Sequence, residues 1–250
     1  MKKFWKLFKN TIALLAAAGI LCLSALVFRG YIEYKNALQA KPLDICMEEI
    51  FQKENFVPSE DIPYIYKEAL IAVEDHRFYR HPGVDILATG RALVHDIQAG
   101  GFVEGGSTIT QQLAKNLYFT QEKTITRKIS EVFMALKIES EYTKDEILDL
   151  YINSIYYGDG YYSLKEAAEG YFNKEPAEMN NYECTLLVSV PNAPAVYAPT
   201  ISIEMALKRQ EQVLDTMVKR GIIEEKDKKV ILVQGDHSKE WSFFQFLPKS

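Results

Sequence analysis

Cysteine is scarce in this chain, with three among 250 residues. Cys22 sits in a long apolar run, and Cys46 and Cys184 lie far apart. They have neither the paired spacing of a zinc site nor that of a disulfide framework, so they read as isolated structural thiols. Histidine numbers only four. His76 and His81 are spaced beyond the i, i+4 interval that puts two ligands on one helix face, which argues against a histidine-based metal site. His81-Pro82-Gly83 reads instead as a rigid turn. No Gly-Lys-Ser/Thr closes a glycine stretch, so there is no phosphate-cradling P-loop. Strand–helix alternation, internal repeats and low-complexity segments are also absent. A net charge of −5 offers no cation excess for nucleic acid, although a local basic cluster can still bind phosphate.

What is present is ordinary for a globular protein: 48% hydrophobic and 25% charged residues, enough chain for one sizeable domain or two small ones. The N-terminus departs from that average. Lys2, Lys3, Lys6 and Lys9 precede an uncharged run from Thr11 to Phe28, interrupted only by Thr11, Gly19 and Ser24. As a helix this run reaches roughly 27 Å, close to the hydrocarbon thickness of a bilayer. It is longer than the apolar part of a secretory signal, and no small-x-small cleavage site follows it. The expectation is an uncleaved, single-pass anchor with its lysines in the cytoplasm. Residues 1–10 are then a cytoplasmic basic tail and 11–28 the anchor. Residues 29–58 are a stalk and the start of the outer part, and 59–250 its folded domain.

Beyond Asp61 the pattern is helical. Ile62, Tyr66, Leu70 and Val73 form an apolar stripe behind a cap at Asp61 and Pro63. A second helix runs from Val84 to about Ile97 and stops at Gly100-Gly101. A third starts at Ser107 or Thr108 with Ile109, Leu113 and Leu117 inward, and a fourth follows Thr124 with Ile129, Phe133 and Leu136 inward. Capping boxes mark further starts at Thr143 with Glu146, Ser163 with Glu166 and Asn180 with Glu183. A long helix from Ser202 ends at Gly221. About nine helices on short loops make a single all-α domain.

Four stretches carry candidate chemistry. In AVEDHRFYRHPGVD, Glu74 ends an apolar stripe, at a rim where a carboxylate can take a proton from a hydroxyl. The plainer reading is a surface Glu-Asp pair. Arg91 falls on one face with Leu87, Val94 and Gln98, so it either pairs with an acid such as Asp75 or Asp85 or points into a cleft. In GGSTITQQLAKN, Thr108, Gln111, Gln112 and Lys115 lie opposite the apolar face, with Ser107 ahead and Asn116 behind. A face with two amides, a lysine and no acid suits sugar hydroxyls and phosphate oxygens. In EKTITRKISEVFMALKIE, Lys123, Arg127 and Lys128 crowd a helix start, where cations oppose the macrodipole by a few tenths of a kcal/mol. An anionic ligand would relieve this, and an Arg127–Glu131 surface pair is the alternative. Two carboxylates with phosphate-binding cations suggest glycosyl transfer from a phosphate-linked sugar. Outside a membrane, the natural donor is lipid-linked.

At these residues the sequence resembles the peptidoglycan glycosyltransferases that polymerise lipid II, the lysozyme-like domain of class A penicillin-binding proteins. EDHRFYRHPG, GGSTITQQLAKN, RKISE, KDEILDLYINSIYYGDGYYSLKEAAEGYF and LLVSVPNAPAVYAP follow the family's order over about residues 60–200. The resemblance implies that Glu74 is the general base and that Glu131 assists the donor site. It implies that Gln112, Lys115, Lys123, Arg127 and Lys128 hold sugar and pyrophosphate, with Arg91 in the cleft and Asn153 a weaker transfer. Asp75, Phe78 and His81 would fix the loop beside Glu74. Substrates would be lipid II and undecaprenyl-pyrophosphate-linked glycan, at a bacterial cytoplasmic membrane beside other cell-wall synthesis proteins. The sequence itself requires no cofactor, and the resemblance allows a divalent cation, magnesium or manganese.

With no Ser-x-x-Lys and the chain ending at 250, the expectation is a monofunctional member without a transpeptidase domain. Three departures stand out. Tyr162-Ser163-Leu164 replaces a Tyr-Gly-Ile-like sequence, Glu183-Cys184-Thr185 replaces Glu-Ala-Ala, and Ser130 stands where some members carry a further cation. Two rival readings remain: an anchored lysozyme-like hydrolase, for which two carboxylates also serve, and an inactive wall-synthesis scaffold.

Overall fold

The computed structural model describes residues 2–99, 105–120, 122 and 124–235. Among them it contains twelve α-helices, three 3₁₀ turns and no strand, as the all-α reading expects. The helices are α1 Lys2–Ala40, α2 Leu43–Phe51, α3 Tyr64–Glu74, α4 Ile86–Ala99, α5 Ile109–Tyr118 and α6 Ile125–Glu141. They continue with α7 Lys144–Ile152, α8 Leu164–Phe172, α9 Asn181–Ser189, α10 Pro194–Tyr197, α11 Ile203–Lys219 and α12 Glu225–Gln234.

Helix α9 is the hub, packed against α3 and α11. It buries Tyr182 and every residue from Cys184 to Ser189, as a helix surrounded by others must. Its polar side chains are satisfied. Thr185 donates to the Asn181 carbonyl at 2.9 Å, and buried Gln210 of α11 donates to Tyr182 O and Thr185 Oγ1, each at 2.9 Å. The Thr185 departure is therefore absorbed by Gln210. Burial pushes the Cys184 thiol up to about 12, which leaves it an inert packing group.

Helix α3 lies between α9 and α11 and buries Tyr66, Ala69, Leu70 and Ala72. Pro63, not Asp61, occupies its N-cap position, because Asp61 closes a short 3₁₀ turn ahead of it. Caps at Thr108, Thr124, Thr143, Asn180 and Ser202 fall where the sequence puts them. The box at Ser163 is half made. Ser163 accepts from Glu166 N, but the Glu166 carboxylate turns to Tyr162 N at 2.6 Å and Asn55 Nδ2 at 2.6 Å. Ser163 has φ −147°, extended backbone that does not call for the glycine of the family pattern.

Residues 29–58, read as stalk and start of the outer part, are mostly helical here. The single helix α1 is 39 residues long and apolar enough, by length and composition, to cross a membrane. Its last turns pack on α6. Gly30 permits the approach: a Cβ there would lie 2.6 Å from Ile129 Cγ2 and 3.1 Å from Thr126 O. Tyr31 and Tyr34 flank Phe133 at centroid distances of 5.4 and 5.9 Å. Leu136, expected inward, is instead 43% exposed.

Candidate active site

Glu74 is the last residue of α3. The backbone leaves helical geometry at Asp75 (φ −158°, ψ 73°) and turns through a 3₁₀ segment at Phe78–Arg80. Gly83 then takes φ +86°, and a Cβ there would sit 3.0 Å from the Ala135 carbonyl oxygen. Only glycine fits both demands. The Gly83 carbonyl accepts from Thr108 Oγ1 at 2.6 Å. Asp75 completes the tie, accepting from His81 Nε2 at 2.9 Å and from Ile109 N at 3.1 Å. The loop after Glu74 is thus pinned to the first turn of α5, the helix that carries Gln112.

Gln112 Nε2 donates to Glu74 Oε2 at 2.7 Å, and Gln112 Oε1 accepts from the Tyr151 hydroxyl at 3.0 Å. Both groups lie on a polar cleft of about 510 Å³, whose walls include Glu74, Asp75, Arg91, Ser107, Gln112 and Lys115. Thr108 also reaches it. Burial lowers the Lys115 ammonium from its usual range, with Glu131 and Glu74 acting against that and Arg127 and Lys128 with it. Lys115 therefore sits in the field of both carboxylates.

Glu131 is 1% exposed. Its Oε2 accepts from Lys128 Nζ at 2.8 Å, and its Oε1 lies 2.9 Å from Arg127 Nε, close but without hydrogen-bond alignment. Lys128 also donates to Ser107 Oγ at 2.6 Å. Among the described residues Glu131 is not part of the cleft wall. It holds two cations beside the Ser107 loop, and the Arg127–Glu131 pair named as the alternative is real. The same carboxylate holds Lys128 too, so the pair belongs to a cluster and is not an isolated surface bridge. Ser130 is buried against α1, facing away from this cluster. A cation at that position would be buried in the α1–α6 seam.

Several of the expected site residues make their contacts within the protein. Phe78 is fully buried under Lys144, whose Nζ lies 4.4 Å from its ring centre. Gln111 is 2% exposed and spends its side chain on the Thr108 capping box. Asn153 is consumed by Val57, accepting from its N at 2.8 Å and donating to its O at 3.0 Å. His81 serves Asp75, and Asn116 is exposed outside the cleft wall. Lys123 lies outside the described residues. The face of α4 holding Arg91 is open, with Leu87 70% and Val94 51% exposed, so Arg91 reaches the cleft without lying in a core.

A second set of cations has no counterpart in the sequence reading. Arg209 of α11 and Arg220 at its C-terminal end line the cleft with Arg91, His76 and Asn192. Burial, then the Arg91 charge, disfavours the charged form of Arg220. Burial, then Arg220, Arg77 and Arg91, holds His76 below the usual imidazole range. Arg209 donates to Gln212 Oε1 at 2.9 Å, while its buried Nε has no partner among the described residues. Crowded guanidinia of this kind suit an anion with several oxygens. Their one sequence signal is an arginine inside the long helix that starts after Ser202 and another just past its end.

Asp75, His81 and Asp85 place ligand atoms within 4.8 Å of one another, so they are the natural place to test for a divalent cation. They do not fit one as built. Asp85 holds Arg77 through two contacts, one of them Nε–Oδ2 at 2.8 Å, and also accepts from Ala88 N. Asp75 is committed to His81 and Ile109. The ligand atoms of Asp75 and Asp85 are thus taken up by hydrogen bonds within the protein.

A family model described as transglycosylase matches residues 45–218. The chain belongs to the transglycosylase family. It is 44% identical over 171 residues to penicillin-binding protein 1F of Bacillus subtilis, covering 68% of this chain and 24% of that one. It is 45% identical over 172 residues to penicillin-binding protein 1A of Neisseria cinerea, covering 69% and 22%. The chain therefore spans about a quarter of the length of these curated relatives. A crystal structure of penicillin-binding protein 1A from Haemophilus influenzae aligns with TM-score 0.42 at 19% identity, over 71% of this chain and 17% of that one.

Proposed function

We propose that this transglycosylase polymerises peptidoglycan glycan strands by inverting transfer from a lipid-linked donor. The observation that carries the reading is Glu74. Its carboxylate is oriented by Gln112 on a polar cleft lined by Lys115 of α5 and by Arg91, Arg209 and Arg220 from α4 and α11, while Lys128 of α6 bonds Ser107 on the same wall. A polymerase needs two pyrophosphate sites, because both the growing chain and the incoming lipid II carry one. A glycan hydrolase needs none.

In the proposed reaction Glu74 takes the proton of the 4-hydroxyl of the acceptor's N-acetylglucosamine. That oxygen forms a bond to C1 of the N-acetylmuramic acid at the reducing end of the growing chain. The bond from C1 to the pyrophosphate oxygen breaks, its electron pair leaves with undecaprenyl pyrophosphate, and the α-linkage becomes β-1,4. The proton on Glu74 is then released to solvent. Lys115, Arg127 and Lys128 stabilise the departing pyrophosphate, with Glu131 holding the last two in place. Arg209, Arg220 and Arg91 suit the acceptor's pyrophosphate. The N-terminal lysines and the apolar part of α1 support a cytoplasmic N-terminus with the catalytic domain on the outer face.

The test is incubation of the full chain in detergent with labelled lipid II, followed by sizing of products. The reading expects glycan polymer and an equal release of undecaprenyl pyrophosphate. Cleavage of finished glycan without polymer would establish the hydrolase instead. Absence of both reactions would favour the scaffold.

A further inference from the structure

Helix α7 has no assigned part in the chemistry, yet its Tyr151 hydroxyl bonds the amide that holds Glu74. The geometry points to Tyr151 as a positioning residue that locks the orientation of Gln112, so that Glu74 is always met by an N–H donor. The inference rests on the proposed transferase reading and deepens it.

A glutamine amide has donor and acceptor ends of almost the same shape, so nothing in its own size says which end faces Glu74. An ionised carboxylate only accepts. At 2.7 Å from Glu74 Oε2, the favourable end is Nε2. The opposite end is then Oε1, and 3.0 Å away is a hydroxyl with a proton to give. Tyr151 is 1% exposed, and among the described residues its hydroxyl bonds Gln112 Oε1. Burial, with the charge of Glu74 behind it, pushes the phenol well above its usual range, so it remains a donor. If the amide flipped, Oε1 would face the carboxylate and the tyrosine proton would be left buried without an acceptor. Both ends of the relay therefore select one orientation.

That orientation matters because a donor stabilises the charged form of a carboxylate, whereas a facing carbonyl stabilises the protonated form. A general base must be charged to work. Removing the Tyr151 hydroxyl leaves the flipped amide unpenalised at its far end. A larger share of Glu74 is then protonated at any given pH, so activity is lost earlier as pH falls. The other charged and titratable groups sharing the cleft stay as they are: Asp75 and His76 beside Glu74, Asp85 and Arg91 at α4, Lys115 on α5, and Arg209 and Arg220 from α11.

The experiment is the pH–rate profile of lipid II polymerisation by full-length wild type and Tyr151→Phe, alongside thermal melts of both. The acid limb of the variant is expected to move up by about half to one pH unit. Rates on that limb then fall about three- to tenfold, the loss closes at high pH, and Tm changes little. A uniform loss at every pH would mark a structural role and overturn the inference, as would an unmoved profile. If Tyr151→Phe does not fold, Gln112→Met carries the test. It removes the donor itself and must shift the limb in the same direction, and an unmoved limb overturns the inference. Wild type that makes no polymer at all would defeat the transferase reading, and the inference with it. Wild-type polymer with an unshifted variant limb would defeat the inference alone.

Discussion

The hydroxyl of Ser130 lies 3.0 Å from the carbonyl oxygen of Gly30. That contact joins the long apolar helix to α6, the helix that carries Arg127, Lys128 and Glu131. The apolar part of α1 thus runs without a break into the turns that dock on α6. Under the proposed function, a cation cluster on a helix docked to a membrane-spanning α1 would be held at a set height beside the bilayer that carries a lipid-linked pyrophosphate.

The seam makes Gly30→Ala destabilising, against the usual rule. In a helix interior alanine is favoured over glycine by about 0.5–1 kcal/mol. Here the new Cβ would lie 2.6 Å from Ile129 Cγ2 and 2.8 Å from Ile129 Cβ, and overpacking of this kind costs about 1–3 kcal/mol. A fall in Tm of several degrees is expected, partly recovered when Ile129→Ala is added. A variant melting at or above wild type would show that the seam is loose.

Asp85 gives a pH-dependent prediction. Burial alone would raise its carboxyl, but the hydrogen bonds from Arg77 and Ala88 N and the Arg77 charge outweigh it, and it sits below the usual carboxylate range. A depressed folded-state value stabilises the protein above the unfolded value near 3.8, and this stability is lost as pH falls through the folded value. Asp85→Asn is expected to cost about 1.5–3 kcal/mol at pH 7. The gap between variant and wild-type Tm should narrow as the acid range below about pH 4 is entered. A gap that stays constant would remove the ion pair as its source.

Lys115 should show the opposite sign. Its ammonium is lowered by burial, so the charged lysine opposes folding at neutral pH. Stability recovers only as pH rises through the folded value toward 10.5. Lys115→Met is expected to raise Tm by roughly 1–2 °C while weakening use of lipid-linked donor by tenfold or more, on the order of one lost charge-assisted contact. Melting curves and donor titrations of one preparation read both effects. Undiminished donor use would remove Lys115 from the pyrophosphate site.

Much of this arrangement is legible in the sequence because it is local. Thr108 reads as a cap, since a threonine before a helical apolar pattern with a glutamine three residues on has few other uses. Glu74 reads as the end of an apolar stripe, and it ends α3. Adjacent amides are harder. Gln111 and Gln112 look alike in a sequence, yet the turn between successive helix positions sends one into the cap and the other to Glu74. Leu87 and Val94 read as a packed face but lie open, because apolar periodicity describes a helix and not what lies against it. Arg209 and Arg220 are illegible as site residues. They join Glu74 only because α11 packs on α3, a relationship between elements far apart in the chain.

The central claim is that Glu74 accepts the acceptor-sugar proton during transfer. The most direct measurement compares wild type with Glu74→Gln on labelled lipid II, with Tm recorded to show that the variant is folded. The account predicts polymer from wild type, and from the variant a loss of about 10²–10⁴ in rate at unchanged Tm. A folded Glu74→Gln protein that polymerises near the wild-type rate would contradict it.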